Sequence, residues 1–102
     1  MDFTRLVQEM ETILQVCETP FESRIRHTHR VMKWAERLLY ASELTVDADV
    51  VMCACIFHDI GYAVKDSKGL GHAQYSVSLL QERISMLPLT ETQIQKVFHC
   101  IR

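Results

Sequence analysis

Residues 50–61 read VVMCACIFHDIG, and this stretch decides the fold that the sequence predicts. Val50 to Phe57 is the longest unbroken apolar run in the chain. We predict a helix over Ala48 to Phe57 that is apolar on all sides, which in a soluble protein indicates a central, buried helix. The run is far shorter than the ~20 residues that cross a bilayer, so no membrane association is predicted.

Apolar residues at helical spacing predict further helices on both sides of this central one. The predicted bounds are Asp2 to Glu18, Pro20 to Ser42, His72 to Ser85, and Thr90 to the final Arg102. Capping boxes are predicted at Thr19 with Glu22 and at Thr90 with Gln93, and Thr45 or Asp47 is predicted to cap the central helix. No strand-like alternation and no internal repeat is present, so we expect an all-α fold of about five helices.

Composition indicates one small domain over residues 1–102, with an N-terminal helix over 1–18 and the remaining helices over 19–102. The chain is 48% hydrophobic and 24% charged, carries a formal net charge of -2, and has no basic stripe, so nucleic acid is not an expected partner. No secretory signal is visible near the first residue. The four cysteines (Cys17, Cys53, Cys55 and Cys100) form no CxxC pair, which favours free thiols in a cytoplasmic protein over disulfides or a thiolate zinc site.

The chain has five histidines, and several of them together could bind a metal ion. The predicted apolar arc of the second helix contains Phe21, Ile25, Thr28, Val31, Met32, Trp34, Ala35, Leu38 and Leu39. His27 falls inside that arc and is predicted to be interior, whereas His29 falls opposite and is predicted to be solvated. His99 projects away from the apolar face of the last helix, and we expect it in solvent.

The His58-Asp59 pair ends the most buried helix, where a carboxylate opposes the helix macrodipole. The pair therefore needs either a hydrogen-bonding partner or a bound cation. His72 opens the fourth helix, either as a surface histidine or as a ligand. Taken together, His27, His58, Asp59 and His72 offer imidazole and carboxylate ligands that suit divalent Fe, Mn, Co, Ni, Zn or Mg, with positions open for water and substrate.

The same residues carry a resemblance to a known family. His27-Thr28-His29-Arg30-Val31 resembles HTxRV, the first motif of the HD-domain superfamily of metal-dependent phosphohydrolases, and VMCACIFHDIG at Val51 to Gly61 resembles its AxLLHDIG helix end. Gly71-His72-Ala73 is similar to the third histidine of members that carry two metals, and Ile94 to Arg102 is similar to the helix that follows. The resemblance covers about Arg24 to Arg102.

The resemblance implies a helical bundle in which His27, His58 and Asp59 bind metal, Asp59 bridges if two ions bind, and His72 belongs to the second ion. It also implies hydrolysis of a phosphomonoester, phosphodiester or nucleotide, with His58 and Asp59 at the catalytic centre. Arg24 is a candidate for binding the substrate phosphoryl group, or else a snorkelling side chain at the helix start. Lys65 and Lys68 are further candidates for substrate binding, or else solvated loop residues.

The sequence departs from the family pattern at two points. Many members carry lysine where this chain has Tyr62, so a different substrate is expected. The family's last ligands lie on positions past Arg102, so we expect a shortened bundle that lacks the last helices. The apolar face of the fifth helix (Ile94, Val97, Phe98 and Ile101) is then predicted to be uncovered and to support a homodimer. The alternatives to an enzyme are a non-catalytic domain that binds metal or nucleotide, and a helical interaction module.

Overall fold

A computed structural model describes residues 3–15, 21–41, 47–63 and 71–102, and within these ranges it contains helices and no strand. The α-helices are α1 (Thr4–Leu14), α2 (Phe21–Ala41), α3 (Ala48–Phe57), α4 (His72–Gln81) and α5 (Glu91–Ile101). Two short 3-10 turns lie at Ile60–Ala63 and Ile84–Met86. The predicted all-α fold is confirmed. None of the described helices is both long and apolar enough to cross a membrane.

Helix α3 is the central element of the bundle, as its uniformly apolar sequence predicts. It contacts α1, α2 and α5. Its buried residues are Val50, Met52, Cys53, Ala54, Ile56 and Phe57. Asp47 caps the helix by accepting hydrogen bonds from the backbone N–H groups of Asp49 (3.1 Å) and Val50 (3.3 Å). The other oxygen of Asp47 accepts from Gln93 Nε2 at 2.9 Å, which ties the start of α3 to α5.

Helix α5 begins at the predicted capping box, in which Thr90 accepts from the Gln93 backbone and the Gln93 side chain accepts from the Thr90 backbone. Its apolar face is not uncovered, and that prediction is wrong. Ile94, Val97, Phe98 and Ile101 are all buried in the core, against α3 and α4. A central helix that is apolar on every side offers α5 a packing surface.

Exposed apolar residues lie instead on α2. Thr28 is fully buried, but 61% of Trp34 and 66% of Leu38 remain exposed, so their predicted place in the core was wrong. Helical periodicity identifies one side of a helix but not how far along its length a neighbour covers that side. Trp34 and Leu38 border a cavity of about 500 Å³, whose other lining residues are Val31, Ala35, Leu39, Val51 and Cys55. An adjoining cavity of about 320 Å³ shares three of those residues and reaches His58.

Helix α4 ends at Gln81, before the predicted Ser85, because Arg83 turns back along it. The Arg83 guanidinium donates to the Leu79 carbonyl at 2.7 Å and to Glu9 at 3.0 Å. These bonds satisfy a carbonyl of the last turn and join α4 to α1. Helix α1 ends at Leu14 rather than Glu18, and the predicted cap at Thr19 lies outside the described residues, as does Cys17.

The three described cysteines, Cys53, Cys55 and Cys100, are free thiols, in agreement with the sequence prediction. Cys53 is fully buried on α3. Burial, with smaller contributions from Asp49 and Asp47, raises the pKa of the Cys53 thiol to about 11. Because the thiolate is the reactive form, Cys53 is an unreactive core residue at neutral pH.

The Ile60–Ala63 turn packs directly on α4, and Gly61 makes this close approach possible. The Gly61 backbone N–H donates to Ser76 Oγ at 2.8 Å, and that hydroxyl donates to the His58 carbonyl at 2.9 Å. A Cβ atom on Gly61 would overlap the His72 carbonyl oxygen and lie 2.7 Å from the Ser76 backbone nitrogen. The absence of a side chain at Gly61 therefore sets the distance between the end of α3 and the start of α4.

We expect Gly61→Ala to lower the free energy of unfolding by about 3 kcal/mol, because backbone atoms must move to admit the methyl group. The matched control is Gly71→Ala. Gly71 has a φ of +77° but open space around the added Cβ, so only backbone strain of about 1 kcal/mol is expected there. Urea denaturation followed by circular dichroism measures both values. An equal loss of stability in the two variants would contradict the packing argument.

Candidate metal centre

Three parts of the chain deliver side chains to one point. His27 comes from the second turn of α2, His58 and Asp59 follow the last residue of α3, and His72 is the first residue of α4. All three imidazoles approach the Asp59 carboxylate through Nε2: His58 at 3.2 Å, His72 at 3.3 Å and His27 at 3.6 Å. The structure thus brings together the four residues that the sequence singled out as candidate ligands.

The two oxygens of Asp59 face different histidines. Oδ2 lies nearest His27 and His58, and Oδ1 lies nearest His72. The His27 and His58 rings are also close to each other, with centroids 5.8 Å apart. The Oδ2 side of the carboxylate therefore has two histidines, and the Oδ1 side has one.

Asp59 is buried, with only 7% of its side chain exposed. Burial alone raises the pKa of the Asp59 carboxyl, but the hydrogen bond with His58 and the positive charges of His58, His72 and His27 outweigh burial and lower it. The carboxylate is thus held ionised at the C-terminal end of a helix, where the macrodipole disfavours negative charge. The negative charge of Asp59 is compensated by the imidazoles or by a cation that the imidazoles bind.

His58 carries the most informative contact in the site. Its Nδ1 lies 2.6 Å from the Cys55 carbonyl oxygen, which can only accept, so Nδ1 carries a proton. Its Nε2 faces the Asp59 carboxylate, which is also an acceptor when ionised. A neutral imidazole would turn its remaining lone pair toward that carboxylate. Either a second proton or a metal cation at Nε2 resolves this conflict.

His27 lies at the rim of the site rather than in the interior, which corrects the sequence prediction. Its side chain is 45% exposed. The ring reaches inward to Asp59, but 3.6 Å is too long for a good hydrogen bond. The place of His27 on α2 was predicted correctly. Its depth below the protein surface was not, because α2 lies on the outside of the bundle.

The donor set fits a divalent metal ion. His27, His58 and Asp59 each offer one ligand atom, and these atoms lie within 4.8 Å of one another. Metal–ligand bonds of about 2.0–2.2 Å place neighbouring ligand atoms roughly 3 to 3.5 Å apart, close to the separations around Asp59. Imidazole nitrogen with carboxylate oxygen suits Fe, Mn, Co, Ni or Zn better than Ca. Three protein ligands leave positions for water and substrate.

Arg24 lies beside the site through an aromatic contact. Its guanidinium carbon is 3.7 Å from the centroid of the Tyr62 ring, and the Tyr62 ring stacks on His72 with centroids 4.2 Å apart. The arginine thus lies one ring away from a candidate ligand, as its position one turn before His27 suggested. The other two basic candidates, Lys65 and Lys68, lie outside the described residues.

The remaining histidines lie away from the site, as predicted. His99 is exposed on α5, and His29 is exposed and lies 2.9 Å from Glu11 of α1. Sequence reasoning missed the hydrogen bonds from Ser76 to the turn and from His58 to the Cys55 carbonyl. The partner atoms are backbone groups, which have no signature in the sequence.

A family model for the HD domain matches residues 24–102, which is most of the chain. The chain belongs to the HD-domain family. Members of this family are generally metal-dependent hydrolases. No curated protein and no solved structure matches the chain.

We expect Mn²⁺ to raise the melting temperature of this HD domain, because a ligand that binds only the folded state stabilises it. At about 100 times the dissociation constant the expected rise is on the order of 10 °C. Asp59→Ala should abolish the rise, and His99→Ala should preserve it. Thermal melts of metal-depleted protein with and without Mn²⁺ measure the effect. An undiminished rise in Asp59→Ala would place the metal elsewhere.

The pH dependence of stability should change sign when metal is added. The hydrogen bond with Asp59 raises the pKa of His58, with the Cys55 carbonyl acting in the same direction and burial opposing. In metal-depleted protein the stabilisation from protonated His58 is therefore complete below about pH 6.5 and is lost as pH rises through the folded pKa. The lowered pKa of Asp59 keeps its carboxylate ionised throughout this range.

We therefore expect metal-depleted wild type to lose stability relative to His58→Gln as pH rises above about 6.5. With Mn²⁺ present, the difference should grow with pH instead, because metal binding requires the deprotonated Nε2. Urea denaturation of both proteins across this pH range measures the difference. Parallel pH profiles for the two proteins would show that His58 does not titrate against Asp59.

Proposed function

We propose that this HD domain is a metal-dependent phosphohydrolase that acts on a small phosphomonoester, phosphodiester or nucleotide. His27, His58 and Asp59 would hold one divalent ion, and His72 would add a ligand on the Oδ1 side of Asp59. The observation that carries the proposal is the position of His58 between two acceptors, the Cys55 carbonyl and the Asp59 carboxylate. The first acceptor fixes the tautomer, and the second marks the place for a cation.

Each residue has a separate task in the proposed reaction. A divalent ion held by these residues would supply a water of lowered pKa and polarise a phosphoryl oxygen. Asp59 supplies the negative charge that retains the ion, and its burial keeps that charge from being screened by solvent. His58 is oriented by the Cys55 carbonyl, which directs its Nε2 toward Asp59, where it would bind the ion. His27, at the rim, leaves the site open to solvent on its side.

Arg24 would bind the substrate phosphoryl group. Its guanidinium lies over one face of Tyr62, which orients the planar group while leaving its N–H donors free of the ring. Such donors pair with phosphate oxygens and stabilise charge that develops there during hydrolysis. The same stacking contact supports this role over a snorkelling side chain at the helix start, which was the alternative from sequence.

The proposal predicts that hydrolysis depends on the metal and on Asp59. With Mn²⁺, the wild type should hydrolyse p-nitrophenyl phosphate or bis(p-nitrophenyl) phosphate, and removal of metal by a chelator should abolish the reaction. Asp59→Ala should lose at least about 100-fold in kcat/KM together with its bound metal, since even outer ligand partners cost 10- to 100-fold. Arg24→Gln should keep its metal but lose roughly 100-fold. Elemental analysis and initial rates measure these quantities.

His29→Ala is the matched control, because His29 lies two positions from His27 on α2 but pairs with Glu11 away from the site. It should retain both metal and activity. Metal that binds stoichiometrically without turnover of either ester would favour the alternative, a domain that binds metal or nucleotide without hydrolysis. Absence of bound metal even after reconstitution would instead favour a helical interaction module.

A further inference from the structure

Tyr62 lies where its ring contacts two residues of the proposed site from different helices. It lies in the Ile60–Ala63 turn, where its backbone N–H donates to the Asp59 carbonyl at 3.1 Å. The Arg24 guanidinium of α2 is 3.7 Å from the ring centroid, and the His72 imidazole of α4 is 4.2 Å away with its plane tilted by 17°.

Arg24 and His72 must lie on opposite faces of the Tyr62 ring. Two groups that both sit about 4 Å from one ring centroid on the same face would overlap, since nonbonded atoms require about 3.5 Å of separation. The three side chains therefore form a continuous stack: guanidinium, phenol ring, imidazole. Beyond the imidazole, His72 Nε2 lies 3.3 Å from Asp59 Oδ1, so the stack ends at the carboxylate.

The stack is the main restraint on the His72 ring within the described part of the chain. His58 is oriented by a hydrogen bond from Nδ1 to a carbonyl, whereas His72 makes no such bond to any described residue. Its side chain is 38% exposed, so solvent alone would leave the ring free to rotate. The Tyr62 face limits that rotation and keeps Nε2 directed at Oδ1.

The backbone beneath the stack is rigid, which makes the contact effective. Gly61, the residue before Tyr62, touches the His72 carbonyl so closely that no side chain fits between them. Ser76 links the same turn to α4 through its hydroxyl. The turn and the start of α4 therefore move together, and the Tyr62 ring cannot slide away from the imidazole.

We propose that Tyr62 is a positioning residue that holds His72 for metal on the Oδ1 side of Asp59 and holds Arg24 for the substrate phosphoryl group. This inference rests on the proposed function for its metal and phosphate. It adds that one aromatic ring sets the geometry of both groups. The ring makes both contacts, so we expect phenylalanine to preserve them and an aliphatic residue to lose them.

The direct test of the stack uses proton NMR of the metal-depleted full chain. The His72 imidazole protons, assigned by their loss in His72→Ala, should be shifted upfield by the ring current of Tyr62. Tyr62→Phe should retain the shift and Tyr62→Leu should remove it. The control is Tyr40→Leu on α2, where Tyr40 is 95% exposed, and this variant should leave the shift unchanged. Wild-type His72 signals without an upfield shift would overturn the proposal, whether or not the protein binds metal.

The functional test measures Mn²⁺ binding by calorimetry. Tyr62→Leu should weaken the binding step that His72→Ala weakens, by about 10-fold or more, and Tyr62→Phe should stay near wild type. The double variant Tyr62→Leu with His72→Ala should bind no more weakly than His72→Ala alone, because the two residues act as one unit. Additive losses, or equal losses in the Phe and Leu variants, would overturn the positioning role.

Binding of inorganic phosphate to the Mn²⁺-loaded protein tests the other face of the ring. Tyr62→Leu should weaken phosphate binding about as much as Arg24→Gln does, and combining the two changes should add little. Undiminished phosphate binding in Tyr62→Leu would overturn the claim for Arg24. A wild type that binds no Mn²⁺ would refute the proposed function and the metal role of Tyr62, while the His72 shifts would still decide whether the stack exists.

Discussion

The ionised carboxylate of Asp59, buried at the C-terminal end of the central helix, is the constraint on which the rest of the site depends. A buried negative charge at that end of a helix is unfavourable unless positive groups surround it. Three imidazoles from three parts of the chain surround the two carboxylate oxygens. The start of α4, the second turn of α2 and the end of α3 therefore meet at this carboxylate, while apolar packing joins the helices along their length.

The site is precise because the elements that carry it are joined by backbone contacts. Asp59 and His58 extend from the most buried helix, so their positions follow from the packing of the core. Gly61 and Ser76 fix the following turn against α4, and the Cys55 carbonyl orients His58. Hydrogen bonds that orient a ligand in this way support its metal affinity, although they do not touch the ion.

The Arg24, Tyr62 and His72 stack joins three parts of the chain beside Asp59. In the proposed function the positive charge for the substrate would come from Arg24, on α2, and the Tyr62 ring would orient it. A planar guanidinium held on a ring offers a fixed pair of donors, whereas an ammonium group acts as a mobile point charge.

Local sequence was enough to predict the five helices, the cap at Thr90, the central place of α3 and the candidate ligands, because each depends mainly on neighbours a few positions away. It left the cap of α3 open between Thr45 and Asp47, and the structure shows Asp47. Tertiary structure alone decided that the fifth helix is covered, that Trp34 and Leu38 are exposed, and that His27 lies at the rim. It also decided the stack on Tyr62. Helical periodicity gives the direction of a side chain, but the depth and the partner depend on how separate helices cross, which no local pattern encodes.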